Sequence, residues 1–342
     1  MNQTSSPRLD AAADFAVGTC VGAREGEQVL IVTDREDLTV PRAFVAAANR
    51  AGAEGQLVVF SRRGYANQEP PAVVVAAMCA ADAIVTLETL TISYTQAVHQ
   101  ARKAGARVLG IPNNADEEML VRLTEGLDMD WLTKLCATVA NRLNGRRVHL
   151  TSSLGTDFYF DLGDYVGGSR TGLVRQPGER DWFPPGSTGC IGVKNSGNGV
   201  LVVNGTIGRI PTAPLGEPVR VTVKDGIMVA IEGGREAEEL KTYFKQFEGH
   251  ELFENCMHVS TLGIGTHPTA KLTGRVLEDE RISGCVHFCV GKNTLQFDSR
   301  GVAGPVEAPS HLDMCILGCT LTIDDELVID NGRLLDAQRQ VA

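Results

Sequence analysis

The run Gln28-Val-Leu-Ile-Val-Thr33 decides how the first part of the chain is read. It is short, apolar and without alternation, as a parallel strand covered on both faces requires. Three runs of the same kind follow: Gln56-Leu-Val-Val-Phe60, Ala83-Ile-Val-Thr-Leu87 and Arg107-Val-Leu-Gly-Ile111. Helical stretches over 41–51, 72–81 and 95–104 separate them. Pro41 sits in a permitted first turn, and Gly105 stops the third helix. This alternation predicts an α/β N-terminal domain with an open, mostly parallel sheet covered by helices. A further helix over 130–143 puts Trp131, Leu132, Leu135, Val139 and Leu143 on one face and ends at Asn144-Gly145. The domain boundary is placed there, giving an α/β scaffold domain over 1–145 and a β-rich metal and catalytic domain over 146–342.

The second part is built from short strands and turns. Strands are expected over 148–152, 157–162, 189–194, 200–203 and 219–223. Lys224-Asp-Gly226 carries the Asp-Gly hairpin signal before a strand over 227–231. One helix, over 235–247, interrupts, and the run through Asp324-Asp-Glu326 predicts a last hairpin. The expectation is a C-terminal α+β domain rich in antiparallel strands.

Composition narrows the function. The 342 residues suggest two domains, and the formal net charge of -10 argues against a broad basic surface for nucleic acid. No apolar run has transmembrane length, and the polar N-terminus lacks a signal pattern. A cytoplasmic protein without a membrane partner is expected, its nine cysteines reduced. No Gly-x-Gly-x-x-Gly follows the first strand and no Walker loop is present, so a dinucleotide enzyme is set aside. Cys285 and Cys289, like Cys315 and Cys319, are four apart. That is not the usual zinc-knuckle spacing, and they read as small buried apolar residues.

The chemistry concentrates between His258 and Asp313, where His258, His267, His287 and His311 fall. In a strand, Ser310-His311-Leu312-Asp313-Met314 points His311 and Asp313 to one face, about 7 Å apart. With a third ligand from a neighbouring strand they suit an open metal site of the non-haem iron kind. A buried hydrogen-bonded pair fits the same spacing. The loop 88–94 follows the third strand at its carboxyl end, where open α/β sheets carry ligands. Glu88 and Tyr94 therefore either reach an active site or are ordinary polar loop residues. Arg180 and Trp182 line a substrate pocket, unless the tryptophan is structural.

Several longer stretches carry a resemblance. They are Leu262-Gly-Ile-Gly-Thr-His-Pro268, Leu272-Thr-Gly274, Leu277-Glu-Asp-Glu280 and Gly284-Cys-Val-His-Phe-Cys-Val-Gly291. With Ser310-His-Leu-Asp313 and Gln176-Pro-Gly-Glu-Arg-Asp-Trp182, they resemble the superfamily of aminopeptidase T and 2,5-dihydroxypyridine 5,6-dioxygenase. The chain length suits the dioxygenase branch. The resemblance implies that His311 and Asp313 are metal ligands, and His287 matches a ligand of the aminopeptidase branch. Thr261 falls where the peptidases carry a ligand Glu and the dioxygenase a ligand His. His258, three residues earlier, would need a bulge to stand in for it. Thr294 falls near a ligand Tyr of the peptidases, and Tyr94 near an active-site His of the dioxygenase.

The expected function is a non-haem iron(II) ring-cleaving dioxygenase acting on a small hydroxylated N-heteroaromatic compound. The metal would be held by His287, His311 and Asp313. Tyr94 and His258 would be catalytic, and Glu88, Arg180 and Trp182 would bind substrate. The alternatives are a metallo-hydrolase of the same superfamily using Zn(2+), Mn(2+) or Co(2+), or a redirected member with a degenerate site. A homo-oligomer is expected because the related families assemble.

Overall fold

The computed structural model describes residues 5–144, 147–294 and 304–339. The chain divides into two compact units, Met1–Leu127 with Thr171–Pro185, and Asp128–Arg170 with Gly186–Ala342. The boundary expected at residue 145 lies outside the described residues. The helix Met129–Arg142, expected to close the first part, packs Leu135 and Val139 into the core of the second unit.

The first unit holds an all-parallel sheet. Its strands run, side by side, Glu54–Val59, Gln28–Thr33, Ala83–Thr86, Arg107–Gly110 and Arg180–Trp182. The four apolar runs read from the sequence supply four of these strands. The inner strands Ala83–Thr86 and Arg107–Gly110 are buried at every residue, as helices on both faces require. Thr39–Arg50, Ala72–Ala80 and Gln96–Lys103 are the connecting helices. Thr95 caps the last of them by accepting from the Val98 amide. The fifth strand, Arg180–Trp182, comes from far along the chain and was not expected. Nor was the N-terminal helix Pro7–Asp14, which Ser6 caps through the Leu9 amide.

The second unit carries two antiparallel sheets. The eight-stranded one includes the hairpin of Val219–Lys224 and Ile227–Glu232, turned at Asp225-Gly226 as the sequence predicts. The five-stranded one has the order His311–Ile316, Val286–Gly291, Val259–Gly265, Ser187–Ile191, Gly168–Arg170. Strand alternation divides this sheet sharply. Leu262, Ile264, Val286, Phe288, Val290, Leu312, Met314 and Ile316 point to one face and form much of the unit's core. Phe288 meets Phe158 and Phe160 edge-on, with centroids 5.1 and 5.6 Å away. Truncating it to alanine should cost about 3–5 kcal/mol. The intervening residues face the other way and carry the chemistry.

All nine cysteines are free thiols. No helix among the described residues is long and apolar enough to cross a membrane.

Candidate metal centre

The register of two strands builds the site. Gly291 pairs with His311, Cys289 with Asp313 and His287 with Cys315. On the next strand Thr261 pairs with Cys289 and Gly263 with His287. Because neighbours along a strand alternate faces, all these residues share the face opposite Phe288 and Met314.

Three donors on that face converge. One ligand atom each from Cys289, His311 and Asp313 lies within 4.8 Å of the other two. The Nε2 of His311 stands 3.7 Å from Oδ1 of Asp313. Its Nδ1 donates to the carbonyl of Lys292 at 2.8 Å. A carbonyl only accepts, so the proton of the neutral ring sits on Nδ1 and the lone pair on Nε2, towards Asp313. This is how an outer carbonyl orients a metal-binding imidazole. Gly291 makes the arrangement possible. It turns the chain with φ 92°, and a Cβ there would lie 2.4 Å from the Ser310 carbonyl oxygen.

The electrostatics favour an ionised acceptor. Burial pushes the Asp313 carboxyl up, but the positive charge that His311 and His287 carry when protonated, with a contribution from the Cys289 thiol, outweighs it, and its pKa lies below the usual carboxylate value. Asp313 keeps 18 % of its side chain exposed, against 7 % for His311, so the centre is enclosed but reachable. An imidazole nitrogen, an ionised carboxylate and a thiol suit a divalent first-row transition metal.

His287 shares the face but does not belong to the converging group. Its ring lies over Gly263, where a Cβ would come within 2.0 Å of Nε2. Nε2 stands 3.9 Å from Oε2 of Glu280. Burial pushes the imidazole pKa down, but Cys285, Glu280 and Asp313 outweigh that and raise it. The bulge needed to bring round His258 exists, since the register shifts between Val259 and Thr261. Yet His258 is 1 % exposed and its Nε2 accepts from the Asn195 amide at 3.2 Å. Burial lowers its pKa, with Lys194 adding to the effect. Cys289 was read from the sequence as a small apolar residue. Its place opposite Asp313 brings its sulfur within 4.8 Å of the other two ligand atoms.

The chain matches the family model described as 2,5-dihydroxypyridine 5,6-dioxygenase over residues 19–336. It belongs to that family. A curated relative, the 2,5-dihydroxypyridine 5,6-dioxygenase of Pseudomonas putida, is 28% identical over 269 residues, covering 75% of this chain and 71% of the relative. The solved structure of the Pseudomonas putida dioxygenase superposes with a TM-score of 0.78 at 22% identity, covering 96% of each chain. Aminopeptidase T from Thermus thermophilus superposes with a TM-score of 0.63 at 16% identity, covering 96% of this chain and 99% of that one. At these identities both structures speak for the fold. Family membership makes the chain an enzyme of the dioxygenase branch rather than the aminopeptidase branch of the superfamily resemblance.

The remaining candidates all lie in the first unit. Arg180 is packed against two rings, with its guanidinium carbon 5.3 Å from the Tyr94 centroid and 4.6 Å from that of Trp182. The two rings are 5.7 Å apart. Arg180 Nη1 donates to the Ser93 carbonyl, and Trp182 Nε1 to Ser93 Oγ at 3.1 Å. Tyr94, Arg180 and Trp182 thus form one cluster on the loop 88–94 and the fifth parallel strand. Glu88, at the other end of that loop, is fully buried. Its Oε1 accepts from the Ile92 amide at 3.0 Å and from Thr86 Oγ1 at 3.1 Å, while Oε2 has no partner among the described residues. Burial raises its pKa to about 7.

Proposed function

We infer that this enzyme is a ring-cleaving dioxygenase that takes a small hydroxylated N-heteroaromatic compound and holds one divalent metal, iron(II), on His311 and Asp313. The observation that carries the reading is the His311–Asp313 pair. It is fixed by register on one sheet face, with its imidazole tautomer set by Lys292. The family match supports it. When bound, the metal would supply Lewis-acid and oxygen-activating chemistry for an electron-rich ring, with His311 and Asp313 holding it.

The chain's own groups do the rest. Asp313 provides fixed negative charge. His311 is held in one tautomer and one orientation, so metal binding costs little reorganisation. Tyr94 is kept as a catalytic candidate for proton transfer, and Arg180 and Trp182, which stack with it, as candidates for binding an aromatic ring. Glu88 is a further substrate-binding candidate whose carboxyl titrates near neutrality. His258 remains the second catalytic candidate, and its Nε2 contact with Asn195 must open for it to act. A cytoplasmic homo-oligomer is part of the same proposal. A dinuclear hydrolase fits less well, since the converging group among the described residues holds one carboxylate and two-metal sites need bridging carboxylates.

The test is oxygen uptake by anaerobically purified, iron(II)-loaded enzyme given 2,5-dihydroxypyridine and related hydroxypyridines. Uptake with loss of aromatic absorbance is expected. Full metal loading with no uptake for any of these rings contradicts the reading.

A further inference from the structure

We propose that Cys289, and not His287, supplies the third protein donor to this centre, so that the ion is held by one imidazole, one carboxylate and one thiolate. The inference rests on the metal centre proposed above and not on its substrate. Along the shared face the cross-strand pairs run His311 with Gly291, Asp313 with Cys289, and Cys315 with His287. The space between His311 and Asp313 is therefore bordered on the facing strand by Gly291, which has no side chain, and by Cys289. His287 stands one pair further on, beyond Asp313, displaced by about 7 Å along its strand.

The side chains follow the register. Cys289 is 2 % exposed, it pairs across the strands with Asp313, and its sulfur is within 4.8 Å of the His311 and Asp313 donor atoms. On binding, a metal–sulfur bond would form as the Cys289 thiol proton leaves to solvent, with no electron transferred. The His287 ring is held elsewhere, over Gly263 with Nε2 towards Glu280.

Charge argues the same way. A neutral imidazole, a carboxylate and a thiolate cancel the charge of a divalent ion, which lowers the cost of holding it in an enclosed site. Two imidazoles and one carboxylate would leave one positive charge. A thiolate also makes the site softer, favouring iron, cobalt and zinc over manganese and magnesium.

The test is titration of metal-free full-length protein with Co(II), followed by absorption spectroscopy and equilibrium binding. Wild type is expected to bind about one ion and to show a near-ultraviolet thiolate-to-cobalt charge-transfer band. Cys289→Ala should lose the band and bind more weakly by more than the 10–100-fold that losing an outer partner costs. Cys289→His should recover binding without the band, which guards against a folding defect in the alanine variant. His311→Ala should abolish the band, and Cys315→Ala and His287→Ala should keep it. A wild type that binds cobalt without the band overturns the inference, as does a band that survives Cys289→Ala or follows Cys315. Oxygen uptake read beside it separates the two readings, since uptake by a protein without the band leaves the dioxygenase standing and removes the thiolate.

Discussion

Gly263→Ala isolates the packing that holds His287 in place. Gly263 lies on the strand next to His287 and pairs with it. A Cβ built there falls 2.0 Å from Nε2, 2.2 Å from Cε1 and 2.7 Å from Cδ2 of the ring. Three ring atoms inside van der Waals distance mean that the imidazole is stacked flat on the glycine, and no small torsion relieves the overlap. The ring itself is almost fully enclosed, so it must push its neighbours aside. Overpacking of this kind costs about 1–3 kcal/mol. For a folding unit of roughly 200 residues that lowers Tm by roughly 2–12 °C. The assay is thermal unfolding of Gly263→Ala, His287→Ala and the double variant. Removing the ring makes room for the methyl group, so the double variant should be more stable than the sum of the two single effects predicts, by about 1 kcal/mol or more. Additive effects, or a Gly263→Ala protein as stable as wild type, would refute the stacking.

Three further outcomes follow from the first unit. The folded-state pKa of Glu88, about 7, lies above its ordinary value of 4.5. The stability this contributes is therefore complete below pH 4.5 and lost as pH rises through about 7. Wild type should lose up to about 3 kcal/mol between pH 5 and 8 that Glu88→Gln keeps, read as the difference between their unfolding curves. Arg107 is 4 % exposed and its Nη2 meets Glu27 Oε2 at 2.6 Å. Glu27→Ala should destabilise by about 3 kcal/mol, because it strands a buried guanidinium, whereas a change within 0.5 kcal/mol in denaturant unfolding would count against the pair. Arg180→Lys keeps the charge but loses the planar stack on Tyr94 and Trp182. It should raise KM for the ring substrate several-fold with a smaller change in kcat, and an unchanged KM removes this cluster from the substrate site.

Much of the fold was legible because it rests on local signals. The apolar runs from Gln28, Gln56, Ala83 and Arg107 name four parallel strands, since a strand covered on both faces shows no alternation. Asp225-Gly226 names its hairpin. The fifth strand, Arg180–Trp182, has no such signal. It is three residues long, two of them charged, and is buried because Arg180 stacks on rings and Asp181 accepts from the Gly172 and Trp182 amides. Such burial depends on partners distant in sequence, which periodicity does not record. The site was half legible for the same reason. His311 and Asp313 share a face by their own spacing, so one strand suffices to pair them. The third donor depends on which residue of the neighbouring strand stands opposite, and that register is set by pairing across the sheet. His287 was the natural choice from residue type. The register puts Cys289 beside the pair instead, and a cysteine in a buried strand looks from sequence like any small apolar residue.

The most direct measurement is the metal content of anaerobically purified enzyme, wild type beside His311→Ala and Asp313→Ala, with oxygen uptake on a hydroxypyridine recorded for each. About one iron per chain is expected in wild type, with loss of the metal in both variants and uptake only where the metal is held. A wild type that takes up no metal after iron(II) or zinc is added, or variants that keep both metal and uptake, would contradict this.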